Sequence, residues 1–260
     1  MKKTLTLVAA ALLAACTQSP TGRSQLLLNN EGQVDQMGIQ SFDELKKKEK
    51  IDTDPKTNRY VQCVAGAITH VLPGEQQGNW EVVVFDSKEV NAFALPGKKI
   101  GVYTGLLKVA DSPDQLAAVL GHEVGHVLAH HSNERLTQNQ LTTGALVLAE
   151  VALGVSDTKN RDLYMAAIGL GATVGVLLPY SRKQESEADA IGLKLMAQAG
   201  FDPSQAVTLW HNMEKSNSGA PPELLSTHPS AGTRIQRLEK ALPSVLPLYR
   251  AAPSHPSCKL

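Results

Sequence analysis

The spacing of apolar and polar positions divides the 260-residue chain into stretches of different character. Lys2 and Lys3 precede an apolar run that ends at Leu13-Ala14-Ala15-Cys16. A polar stretch from Thr17 to about Gln25 follows, with Pro20 and Gly22, and reads as a tether. Helical spacing then begins. Asn30 is a cap residue for a helix over about 31–50, whose closing charge run Lys46-Lys47-Lys48-Glu49-Lys50 suits a solvated face. A second amphipathic helix over 56–71 gathers Tyr60, Val61, Val64, Ile68 and Val71 on one side. The pattern then shortens to that of strands: a valine-rich run at 79–87, and two runs at 90–95 and 99–104 that flank Pro96-Gly97 as a hairpin. Ser112-Pro113-Asp114 supplies a cap, a first-turn proline and an acid for the positive end of the next helix. Residues 140–178 are apolar and rich in Ala and Gly, interrupted by polar residues 157–162. Each half is shorter than the ~20 residues that span a bilayer, so this stretch reads as a helical hairpin that gates a cleft or touches a membrane surface. Residues 182–242 are again helical. These elements predict an α+β fold, mostly helical, with a small β-sheet or hairpin beside a central helix.

Composition narrows the function. Hydrophobic residues make up 42% of the chain, enough for a substantial core, and 25 basic residues balance 25 acidic ones. Neither a basic patch nor an aromatic platform calls for nucleic acid: only four Phe and two Trp are present.

The central helix carries the chemistry. Gly121 to His131 reads GHEVGHVLAHH and holds four of the eight histidines. His122-Glu123-Val124-Gly125-His126 is an HExxH motif. Positions four apart share a helix face, so both imidazoles reach one Zn²⁺, and Glu123, one residue on, can exchange a proton with water there. Leu116, Val119, Leu120, Val124, Val127 and Leu128 make this a buried helix, and Gly125 lets a neighbour pack closely. Two His and a Glu are costly to bury without a partner. His130 and His131 suit solvated or supporting roles better than ligation. In Ser181 to Asp189 (SRKQESEAD), Glu185 and Asp189 share a helix face: Glu185 is the candidate third ligand, and Asp189 can accept the other ring N–H of a ligand histidine. Glu187 points elsewhere and is expected to be solvated.

HEVGH followed by ESEAD resembles the HtpX-like and CaaX-prenyl-protease-like zinc metallopeptidases, which are gluzincins, and most closely their periplasmic lipoprotein members such as LoiP and BepA. VNAFALPGKKIGVYTGLL (Val90 to Leu107) is similar to the family's substrate-side strand pair, and Thr227-His228-Pro229 with Arg234 to its late His-Pro segment. The resemblance implies a zincin-type metallopeptidase domain over 30–245 with one Zn²⁺ per chain. By it, His122, His126 and Glu185 are ligands, Glu123 is the base and Asp189 orients a ligand. His228 plugs the zinc or steadies the oxyanion; otherwise it is a turn residue before a helix. Arg234 supports the oxyanion or pairs with an acid. Asn91 and Ala92 sit on an edge strand that pairs with extended substrate. Within these 260 residues no counterpart of the long tetratricopeptide domain of BepA-like members is expected.

The leader completes the expectation. Residues 1–15 resemble a lipoprotein signal peptide, Cys16 the lipidated residue, 16–29 a tether and 246–260 a tail. In the oxidising compartment that export implies, Cys63 and Cys258 form a disulfide or remain two unpaired thiols. The expected function is a zinc-dependent endopeptidase, lipid-anchored in the bacterial outer membrane and facing the periplasm. It would act on unfolded or misfolded envelope proteins in quality control. The alternative is a chaperone-like assembly factor with latent protease activity.

Overall fold

The computed structural model describes residues 16–153, 180–216, Leu224, His228 and 234–260. The leader expected at 1–15, the greater part of the apolar hairpin expected at 140–178, and Thr227 and Pro229 lie outside the described residues. In chain order the elements are β1 (Cys16–Gln18), β2 (Ser24–Leu26), α1 (Glu31–Lys48), α2 (Pro55–His70), β3 (Glu81–Phe85), β4 (Ala92–Leu95), β5 (Lys99–Tyr103), α3 (Pro113–Leu128), α4 (His131–Leu153), α5 (Arg182–Gln198), α6 (Gln205–Ser216) and α7 (Arg234–Arg250). The fold is α+β and mostly helical, as the sequence predicts.

Helix starts follow their caps. The side chains of Asn30, Asp54 and Ser112 accept from the backbone N–H groups of Gly32, Thr57 and Gln115 and so satisfy donors that a helix leaves open. The three-stranded sheet has the order β3-β5-β4, with β3 parallel and β4 antiparallel to β5. Its hairpin turns at Pro96-Gly97 as expected, where Gly97 takes φ +81°. Alternation sends Val84, Ala92, Ala94, Ile100 and Val102 into the main core beside α2 and α3. Phe85, Leu95 and Tyr103 form a smaller core with Phe42 of α1. The outer edge of β3 is bridged by the chain at Lys50–Asp52. Among the described residues, no strand pairs with the outer edge of β4.

Two stretches differ from expectation. Residues 16–26, read as a tether, are folded: β1 and β2 pair antiparallel, with Thr17 opposite Gln25. Their polar side chains are the reason. Ser19 and Gln25 are buried and bond to the domain, Ser19 to Glu187 and Gln25 donating to the Ala129 carbonyl at 3.1 Å. α7 runs through Pro243 and Pro247 to Arg250 rather than ending near residue 242. The two prolines are four apart on an exposed face, where a lost backbone bond is replaced by solvent. The tail then returns to α2, where Cys63 and Cys258 are disulfide-bonded. No described helix is long and apolar enough to cross a membrane.

Candidate metal centre

α3 and α5 meet along small residues. A Cβ on Gly192 would lie 2.6 Å from the His122 backbone nitrogen, and one on Gly125 would lie 2.9 Å from the Ala188 carbonyl oxygen. Only bare backbone allows this approach, as Gly125 suggested in the sequence. α5 begins with a capping box between Ser181 and Gln184, which places Glu185 in its first turn, at the positive end of the helix. The seam carries that carboxylate to the histidines of α3.

Four donor atoms converge there. His122 Nε2 lies 3.1 Å from His126 Nε2 and 3.2 Å from His228 Nδ1. Glu185 Oε1 lies 3.0 Å from His228 Nδ1 and 3.3 Å from His126 Nε2. His122, His126, Glu185 and His228 are all buried, and one donor atom from each lies within 4.8 Å of every other. Zinc with bonds of ~2.0–2.1 Å holds tetrahedral donors roughly 3.4 Å apart, so these separations fit the ion. Three imidazoles and a carboxylate are a zinc donor set, in agreement with the zinc expected from the sequence.

The charges around the cluster are arranged by burial and pairing. Burial drives the Glu123 carboxyl upward. Among the described residues its Oε1 has no hydrogen-bond partner, and His228 Nε2 is 3.4 Å away. Burial and Arg234 both oppose charge on His122, yet Glu185 and Asp189 outweigh them and hold its pKa at about 9 without metal. Burial alone would raise Glu185; the imidazoles, His122 foremost, hold it far below the carboxylate range. Asp189 Oδ1 sits 2.9 Å from His122 Nδ1. Arg234 lies over the Trp210 ring at 3.7 Å and pairs with both acids, Glu185 Oε2 at 3.1 Å and Asp189 Oδ1. Of its two expected roles, pairing with acids is the one its contacts match.

Other residues fall differently. Glu187, expected in solvent, is 5% exposed and bonded to Ser19, Thr21, Arg23 and His131. It faces the N-terminal hairpin, whose folding the polar sequence hides. His130 pairs with Glu31 at 2.8 Å, while His131 is wholly buried against His126. Tyr180 stacks on the His126 ring at 3.8 Å. No motif or periodicity in the sequence marks it; it stands immediately before the Ser181 cap of α5. The Tyr103 N–H donates to the Asn91 carbonyl at 3.1 Å, so Asn91 faces β5 and the backbone of Ala92 faces the outer edge, where the Leu224 N–H donates to the Val90 carbonyl at 3.2 Å.

A helix bearing HExxH, a second helix supplying a carboxylate and a buried His/His/Glu/His cluster together define a metallopeptidase site. The chain belongs to peptidase family M48, whose description matches residues 55–242. It is 40% identical over 189 residues to the mitochondrial metalloendopeptidase OMA1 of Schizosaccharomyces pombe, an alignment covering 72% of this chain and 53% of that protein. It is 32% identical over 238 residues to the mitochondrial metalloendopeptidase OMA1 of Homo sapiens (87% of this chain, 45% of that protein). To the β-barrel assembly-enhancing protease of Escherichia coli K12 it is 25% identical over 210 residues (78% and 42%). The chain thus spans about half or less of the length of each of these relatives.

Proposed function

We propose that this chain is a zinc-dependent endopeptidase of the bacterial cell envelope that cuts extended or misfolded polypeptide segments. The observation that carries the reading is the four-donor cluster beside the Glu123 oxygen that has no hydrogen bond among the described residues. His122, His126 and Glu185 would hold the ion. Zinc bound there would supply Lewis acidity for the scissile carbonyl and for water beside it. Glu123 takes a proton from that water and delivers one to the leaving nitrogen. Asp189 fixes the His122 ring through Nδ1, and Arg234 balances the charge of Asp189 and Glu185. An extended substrate adds to the outer edge of β4, which no described strand pairs and where Ala92 and Ala94 offer backbone groups.

The leader supports the envelope setting, as does the likeness to an E. coli protease named for β-barrel assembly. Lipid on Cys16 would anchor the protein in the outer membrane facing the periplasm, among misfolded envelope proteins. The mitochondrial setting belongs to the OMA1 relatives.

One observation favours a second reading, a chaperone-like protein with latent proteolysis: His228 Nδ1 already stands with the three ligands at the corner a substrate must use. One comparison separates the two. Zinc content and casein hydrolysis are measured for the wild type, Glu123→Gln and His228→Ala. One zinc in each, cleavage by the wild type and none by Glu123→Gln support the endopeptidase. Cleavage appearing only in His228→Ala supports the latent form. No zinc in the wild type overturns both.

A further inference from the structure

His126 has two ring nitrogens in two different settings. Nε2 faces His122 and Glu185, while Nδ1 points away from the cluster, 2.8 Å from His131 Nδ1. The turn at His130, with φ 53°, ends α3 and starts α4 so that His131 lies back against His126. His131 Nε2 is in turn 3.2 Å from Glu187 Oε2. The remaining partners of Glu187 belong to the β1–β2 hairpin: Ser19, Thr21 and Arg23, whose Nε is 2.6 Å away. Arg23 also holds both oxygens of Glu134, at 2.6 and 2.8 Å.

The protons along this line follow from its far end. Glu187, salt-bridged to a guanidinium, is an acceptor, so His131 Nε2 carries the hydrogen. A neutral imidazole protonated at Nε2 has a bare Nδ1. That nitrogen accepts the Nδ1–H of His126, and the Nε2 lone pair of His126 is left facing the cluster, the form a metal ligand needs. His122 receives simpler support, a direct bond from Nδ1 to Asp189. The two histidines of one motif are thus backed by two carboxylates, one directly and one through a second imidazole.

We propose that His131, Glu187 and Arg23 form a positioning relay that fixes the tautomer and aim of His126, so that the N-terminal hairpin sets how tightly the centre holds its metal. The relay rests on the metallopeptidase reading. It adds a control that begins 99 residues before the motif, at Arg23.

The test is zinc affinity of the full chain, by competition with a chromophoric chelator, with thermal unfolding of the metal-free protein alongside. His131→Phe keeps a ring but accepts no proton. His131→Gln presents an acceptor beside a donor and can rejoin the line. Loss of such a partner weakens zinc binding by about 10- to 100-fold. We expect that loss in His131→Phe, recovery of most of it in His131→Gln, and a smaller loss in Arg23→Met. Arg23 lies at the partly exposed end of the line, so its variant carries the test if the buried ring tolerates no change. Unchanged affinity in His131→Phe overturns the relay. So does equal loss in His131→Phe and His131→Gln that tracks lower stability of the metal-free protein, because that is packing. Full affinity in Arg23→Met removes the hairpin from the relay. A wild type that binds no zinc overturns the metal-site reading itself, whereas one zinc with indifferent variants overturns the relay alone.

Discussion

Two buried glutamates illustrate how surroundings assign roles. Glu123 has an oxygen with no hydrogen bond among the described residues, and burial raises its pKa, as suits a group that must take and return a proton. Glu123→Gln keeps the shape and loses the acceptor. We expect zinc content to stay at the wild-type level while kcat falls about 10²- to 10⁴-fold, the usual worth of a general base; a fall in zinc content instead would make Glu123 a ligand. Glu187 is opposite. Burial would raise its carboxyl, but Ser19, Thr21, Arg23 and His131 bring it down from 4.5 to about 2. A group depressed on folding contributes stability above its unfolded pKa, and the contribution is lost as pH falls through the folded one. Glu187 should therefore contribute stability at neutral pH that is lost between about pH 4.5 and 2. Thermal melts of metal-free wild type and Glu187→Gln across that range test it: the variant should show the flatter acid slope, and equal slopes would mean Glu187 is not depressed.

At the scale of elements, the α3–α5 seam decides whether the ligands meet. Gly192→Ala would place a methyl 2.6 Å from the His122 nitrogen and 2.7 Å from the Gly121 carbonyl carbon. Backbone cannot yield as a side chain does, so we expect a loss of about 1–3 kcal/mol in urea unfolding and weaker zinc binding as Glu185 withdraws. Gly66→Ala in α2 is the control, since nothing lies within 4 Å of its new methyl; there a helical alanine should gain about 0.5–1 kcal/mol. Equal behaviour of the two variants would deny the seam its role. Much of this region was legible in the sequence because its signals are local. The i, i+4 spacing of HExxH, the Glu185–Asp189 pair, the Ser112 cap and the Pro96-Gly97 turn each fit within a few residues. What was missed depends on distant partners. Glu187 looked solvated because Arg23, 164 residues earlier, is invisible to periodicity. The β1–β2 hairpin looked like a tether because polar residues that bury their hydrogen bonds have the same composition as residues that do not. Tyr180 carries no pattern of its own, and its stacking on His126 appears only once α3 and α5 are packed.

The whole molecule is closed by one covalent bond. Cys63 on α2 and Cys258 in the tail are 195 residues apart, and their disulfide encloses the entire metal centre. The tail is also held by His255, whose Nδ1 lies 3.0 Å from the Gly200 carbonyl and whose ring meets Tyr249 edge-on at 4.8 Å, and by the burial of Cys258. The chain-entropy argument gives roughly 5 kcal/mol for so long a loop, and measured losses on removing native disulfides run from about 2 to 5 kcal/mol. Among the described residues, the hydrogen-bond and ring partners of the zinc donors lie on α3, α4, α5 and α7 and at Tyr180, none of them in the tail after Arg250. Breaking the bond should therefore lower global stability and leave zinc stoichiometry at one. Guanidinium unfolding of the wild type with and without a phosphine reductant, beside Cys63→Ser without it, measures this. We expect reductant to remove about 2–5 kcal/mol from the wild type and nothing further from Cys63→Ser, which should already be lower by a similar amount. Unfolding curves that ignore both reductant and substitution would show that packing alone closes the fold. A loss of zinc on reduction, with stability little changed, would place the tail's anchor in service of the metal centre rather than of the fold.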